Sequence, residues 1–415
     1  MRSGAQPLFH GWVVVGGAFL TMFLGFGIVY SFAAFIDALE SEFGASRTGV
    51  SLVYSVSSAL YFSLGALSGV VADRLGPRVM VGTGLLAVGV GLIAASLGDS
   101  LFLVGLAFAL GTGLGVGMSY VPSVGAVQHW FLRKRGFASG LAVAGIGVGM
   151  LLLPPLAAGL IALFGWRIAM AVLGALALIG AVVATLMVES SPERRGLGPD
   201  GDPPLPAGTA GEPLPGTRWA DAVRSRPFKL LYLASFLVAL GLFIPFVHLV
   251  PYAQGEGLGR TQAVLLLSLI GVGSTAGRFV LGGIADRVGR RPALGGMLLG
   301  LAIMMGFWAV ASGFWSLAAF AVIYGMCYGG FVALLPALTM DYFGARSVSG
   351  LIGALYTSVA VGTFAGPALA GVAYDLFQDY TLPIVLAAVA NVLAAACVAM
   401  LADPVHWRSE ATGQA

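Results

Sequence analysis

The sequence predicts an all-α polytopic membrane protein of twelve transmembrane helices, built as two pseudo-symmetric six-helix bundles. Three observations predict it: an apolar composition, the recurrence of runs long enough to cross a bilayer, and an internal repeat at a fixed offset. With 58% hydrophobic and only 9% charged residues and a mean hydropathy of +0.95, the chain is far more apolar than a soluble domain, and lipid is its solvent. A spanning helix needs roughly 20 apolar residues, and such runs recur from Val13 to His406 with short polar breaks. A β-barrel would instead show segments of about 10 residues of alternating polarity.

Arg2 precedes a long apolar stretch from Gly11 to Leu39, too long for a signal-peptide core and without an A-x-A site, so it is read as an uncleaved first span. The first six spans are placed at 13-38, 49-71, 79-97, 101-128, 137-163 and 168-188. The second six fall at 229-252, 262-285, 293-311, 315-340, 348-373 and 381-402. Between the sets lies a stretch rich in Pro, Gly and charge, which reads as a flexible linker. The organisation is therefore an N-terminal bundle over 1-188, a linker over 189-226 and a C-terminal bundle over 227-415.

On this map one side of the membrane, with both termini and the linker, carries seventeen Lys and Arg, while the other carries three, Arg47, Arg167 and Arg260. That bias predicts a multi-pass protein of the cell membrane with both termini cytoplasmic. The two halves repeat at an offset of 213 residues: Gly69 to Arg78 after the second span (GVVADRLGPR) matches Gly282 to Arg291 after the eighth (GGIADRVGRR). Gly149 and Pro154 in the fifth span meet Gly362 and Pro367 in the eleventh at the same offset. The doubled G-x-x-x-D-R-x-G-R/K loop resembles the signature of the major facilitator superfamily over essentially the whole chain. The resemblance implies that fold, and a gating role for Asp73, Arg74, Asp286 and Arg287. The plainer alternative is solvated loop charges that anchor helix ends.

An ionisable group deep in the bilayer is costly unless paired, so each one is a candidate functional residue. All eighteen Asp and Glu fall in loops or at span ends. Among the cations only Arg278 is deep, roughly 12 Å inside the helix end at about 1.5 Å per residue. A guanidinium keeps its proton and must find an anion. With no carboxylate beside it in the span, the partner is read as a bound substrate carboxylate, held through a bidentate pair. The alternative is a structural bond to backbone carbonyls or to Asp341. His248, near the far end of the seventh span, is the side chain suited to loading and unloading protons near neutral pH. It is read as facing the same cavity as Arg278, or else as a neutral hydrogen-bonded histidine. Tyr120 and Tyr328 sit mid-span in the fourth and tenth helices and offer hydroxyls to a carboxylate or to a neighbouring backbone, with Tyr30, Tyr54, Tyr61 and Tyr356 behind them.

Other motifs carry less. Gly271 to Gly277 is a literal G-x-G-x-x-G, and Gly111, Gly113, Gly115 and Gly117 form a second glycine run, but both lie inside apolar spans where small residues serve close helix packing. There is no P-loop, and four His and two Cys without clustered spacing suggest no metal site, no disulfide framework and no cofactor. A net charge of +3 spread over short loops gives no nucleic-acid face.

A second resemblance narrows the class. Trp130 to Gly145 (WFLRKRGFASGLAVAG) resembles the start of the fifth helix in the monocarboxylate transporter family. His10-Gly11-Trp12 and Ser191 to Leu197 resemble bacterial monocarboxylate and oxalate/formate carriers. The resemblance implies that Arg278 binds the substrate carboxylate and that a proton accompanies L-lactate or pyruvate by alternating access. Mammalian members usually carry an acidic residue four positions before that arginine, where Ser274 stands here, and a first-helix lysine that is missing, which moves attention for the proton to His248, its protonation coupled to anion occupancy at Arg278. Oxalate exchangers pair the arginine with an eleventh-helix lysine, and no lysine occurs from Ser347 to Ala373. Leu24, Ile28, Phe331 and Phe364, midway along cavity-lining spans of that fold, are the expected apolar walls, or packing residues. The expected partners are one small monocarboxylate anion, a proton and the lipid bilayer, with the chain acting as a monomer. The alternatives are an organic anion exchanger or exporter of the same fold and, from another class, a non-transporting membrane receptor.

Overall fold

The computed structural model describes residues 9–131, 135–202, 216–344 and 347–404. The first span is α1 (Gly11–Tyr30), a tighter turn over Ser31–Phe35, and α2 (Ile36–Phe43). Next come α3 (Arg47–Leu75), α4 (Pro77–Ser96) and α5 (Leu101–Trp130). Helix α6 (Arg135–Met187) is two spans joined at Gly165, whose φ of 81° breaks the helix. The linker contributes α7 (Trp219–Arg224). The second half is α8 (Arg226–Leu242), α9 (Ile244–Gly255), α10 (Arg260–Val288), α11 (Arg290–Trp308), α12 (Gly313–Phe343), α13 (Val348–Phe377) and α14 (Thr381–Ala399). Ten helices among the described residues are long and apolar enough to cross a membrane. Dividing the Phe137–Met187 span at Gly165 and adding the serine-rich, 29-residue α3 gives twelve.

Local sequence explains where these helices begin and bend. Ser46, Ser100 and Ser225 accept from the amides of Gly49, Leu103 and Phe228, capping α3, α5 and α8. The first and seventh spans both interrupt at equivalent places, Ser31 and Ile244, which are 213 residues apart. In the seventh, Pro245 lacks the amide that would continue α8. At the repeated motif, Gly76 and Gly289 link α3 to α4 and α10 to α11 with φ of 85° and 94°, a backbone that only glycine adopts without strain. Beside them Arg78 donates to the carbonyls of Thr185 (2.7 Å) and Leu186 (3.3 Å), at the end of α6. Arg291 does the same for Val398 (3.4 Å) and Ala399 (2.7 Å), at the end of α14. Each arginine thus satisfies the free carbonyls and opposes the negative end of the last helix of its half.

The glycines read as packing residues behave as such. A Cβ at Gly91 or Gly111 would meet the other's backbone between α4 and α5, and one at Gly273 or Gly277 would collide with the Val322 and Met326 carbonyls of α12. The two halves meet along two main seams, α3 with α13 and α6 with α10. Along the first, Phe62 packs on Tyr356 with ring centroids 5.7 Å apart. Along the second, Ser268 donates to the Leu151 carbonyl at 2.9 Å. On the face away from the described chain ends, Arg260 reaches across to the Ala34 carbonyl at 3.0 Å. On the face near those ends, a Cβ added at Gly125, Gly282 or Gly283 would meet open space.

Candidate functional site

At mid-depth, side chains of α1, α3, α5 and α6 face those of α8, α10, α12 and α13 across a cavity of about 40 Å³. That is room for roughly three water-sized groups. Its walls are aromatic and aliphatic, and among the described residues Arg278 is the one charged group lining it. Helix α10 is pressed onto α12 through Gly273 and Gly277, which fixes its roll about its axis and sets Arg278 toward the space between the halves. The guanidinium Nη1 donates to the Val143 carbonyl of α6 at 2.8 Å. Nε and Nη2 are buried with no hydrogen-bond partner. Buried donors are rarely left unmade, and two guanidinium nitrogens on one edge match a carboxylate. Asp341, the structural partner considered from sequence, is bound instead to Arg290 at 2.7 Å.

Beside the arginine, the hydroxyls of Tyr30 and Tyr328 lie 3.0 Å apart across the two halves. One bond between two hydroxyls leaves one O–H free to donate elsewhere. Phe26 meets Tyr120 edge to face at 5.2 Å, and Tyr30 stacks on Phe246 at 4.8 Å, so the ring positions are set by one another. Tyr54 and Tyr61 are buried behind this layer.

Of the residues singled out from sequence, Arg278, Tyr120, Tyr328 and Phe331 share this cavity, together with Tyr30 and Tyr356. Three others do not line it. Leu24 points at Gly180 of α6, where an added Cβ would collide with it. Ile28 is buried away from the cavity walls. Phe364 is 42% exposed on the outside of α13. His248 is also elsewhere. It is fully buried, with Nε2 2.9 Å from the Pro367 carbonyl and Nδ1 3.2 Å from the Tyr380 hydroxyl. Both ring nitrogens are engaged within the second half, so His248 and Arg278 do not face one cavity. Arg74 and Arg287 are exposed in the last turns of α3 and α10, while the side chains of Asp73 and Asp286 lie outside the described residues. Among the described residues, no group of three His, Cys, Asp or Glu is placed to hold a metal ion.

Sequence reasoning missed Phe26, Phe62, Ile146, Phe243 and Val359 as walls. The repeat held a signal for some of them. Tyr30 and Phe243 are 213 residues apart, as are Ile146 and Val359, and both pairs line the cavity. The position equivalent to Arg278 is Gly65, so the charge is present in one half only.

A duplicated twelve-helix bundle with a cavity between its halves is the architecture of a membrane carrier. A model of the Major Facilitator Superfamily matches residues 17–302 and 257–414, and the chain belongs to that superfamily, among the monocarboxylate transporters. Monocarboxylate transporter 3 of Rattus norvegicus is 32% identical over 407 residues, covering 96% of this chain and 81% of that protein. Monocarboxylate transporter 11 of Homo sapiens is 29% identical over 389 residues, covering 91% and 79%. Among solved structures, a bacterial homolog of the human lysosomal transporter Spinster, in an inward-facing and unoccupied conformation, superposes with a TM-score of 0.76 at 16% identity, covering 98% of each chain.

Proposed function

We propose that this membrane transporter moves small monocarboxylates, L-lactate and pyruvate among them, together with a proton, by alternating access. The observation that carries the reading is Arg278, with two buried, unpartnered nitrogens at the wall of a cavity that is otherwise uncharged among the described residues. A single cation suits a single carboxylate, and the apolar rings around it suit a short carbon chain. Tyr30 and Tyr328, drawn from opposite halves, add hydroxyls that can turn to the anion. The relatives named monocarboxylate transporters support the same substrate class.

The proton follows from charge. Moving a bare carboxylate across a membrane potential changes the free energy by about 2.3 kcal/mol per 100 mV, and a proton moving with it cancels that term. His248 is not needed as its carrier, because its nitrogens serve Tyr380 and Pro367. The excess of Lys and Arg on the side with the chain ends reads that side as cytoplasmic. The face bridged by Arg260 and Ala34 is then external. Residues 1-188 and 227-415 act as the rocking bodies, joined by the linker 189-226, within one monomer.

Reconstituted in liposomes, the protein is expected to take up radiolabelled lactate and pyruvate faster with a proton gradient directed inward, and Arg278→Ala is expected to abolish that uptake. Uptake only into vesicles preloaded with a second anion, or full activity without Arg278, would replace this reading with exchange or another substrate.

A further inference from the structure

On the face away from the chain ends, a cluster of charged and polar groups joins the two halves. Asp375, at the end of α13, accepts hydrogen bonds from the backbone amides of Arg47 (3.2 Å) and Thr48 (2.9 Å) and from the Thr48 hydroxyl. Its carboxylate thus binds the first turn of α3, a helix of the other half, where free amides and the helix dipole favour an anion. Arg47 pairs with Glu40 at 2.7 Å and lies 5.1 Å above the ring of Tyr374, again from the other half. Tyr374 stacks on Tyr380 at 4.5 Å, and the Tyr380 hydroxyl is bonded to His248. Behind the cluster, Gly371 lets α13 close onto Thr48 and Ser51.

We infer that Asp375 and Arg47 are the gate of this face, the paired contacts that hold the halves together here and must part once in each transport cycle. The chemistry favours a latch over permanent glue. Apart from the Tyr374 ring, the partners in it are groups that water solvates well, so parting the halves here mainly exchanges protein hydrogen bonds for hydrated ones. The buried His248–Tyr380 pair is then the fixed back wall on which Tyr374 rests. The inference needs only an alternating-access carrier and is independent of which anion is carried.

The test is accessibility, which requires no substrate. Ser51 is buried in the seam beside the gate. In full-length protein with Cys327→Ala and Cys397→Ala, Ser51→Cys is exposed to a membrane-impermeant maleimide applied to this face. Adding Asp375→Asn or Arg47→Gln is expected to raise the labelling rate about tenfold, a tenfold shift in the population of the open state. Asp375→Glu is expected to keep it slow. Thr112→Cys, buried between α5 and α3 within one half, reports general loosening. Unchanged labelling of Ser51→Cys in both gate variants, or equal acceleration at Thr112→Cys, overturns the assignment.

Discussion

Replacing Arg278 by lysine keeps the charge and removes the fork, and the structure gives the size of the effect. The guanidinium presents three nitrogens, one committed to the Val143 carbonyl at 2.8 Å and two unpartnered. A lysine offers one compact ammonium. It can stand near Val143 or reach the carboxylate, but it has no second nitrogen to grip both oxygens. The loss is one charge-assisted hydrogen bond, about 1.5–3 kcal/mol, which corresponds to roughly 10- to 100-fold weaker binding at about 1.4 kcal/mol per decade. Equilibrium binding of radiolabelled lactate to purified protein in detergent measures this directly, without the transport step. Binding of Arg278→Lys within about twofold of the parent would show that the arginine acts as a diffuse charge, and the two-nitrogen reasoning would fail.

The remaining expectations concern stability and the proton. Arg78→Ala and Arg291→Ala each uncap the last helix of one half and should lower stability by similar amounts, about 0.3–1 kcal/mol for a solvent-exposed cap, read as matched small drops in Tm. A large drop for one and none for the other would refute the equivalence of the two caps. His248→Ala leaves the Pro367 carbonyl and the Tyr380 hydroxyl without their partner. It should cost about 1–3 kcal/mol of stability while proton-driven lactate uptake per folded molecule persists. Loss of the proton dependence in a variant that keeps its lactate affinity would make His248 the proton carrier after all.

The fold was legible in the sequence because lipid imposes its own pattern: most expected span ends fall within a few residues of the helices found, and the repeat marks Gly76 and Gly289 as one turn used twice. The interruptions at Ser31 and Ile244 were not read, since apolar residues continue through both and hydropathy does not register a bend. At the site, Arg278 stood out as a lone charge in an apolar run. Leu24 and Phe364 went astray because mid-span depth fixes height in the membrane and not direction around the helix. His248 was drawn to the cavity by its chemistry, whereas Pro367 and Tyr380, more than a hundred residues away, turn it aside. The contact of Asp375 with Arg47 and Thr48 joins two span-end segments that no local pattern relates.

The arginines at the ends of α6 and α14 have a mechanical meaning. Arg78 follows the second span of its half and clasps the sixth, and Arg291 does the same from the eighth to the twelfth. Each half is therefore hooped: a strap from an early helix fastens the last one and resists the splaying of six parallel rods. If the halves rock as proposed, each carries its own strap through the motion, because neither arginine's bonds cross a seam.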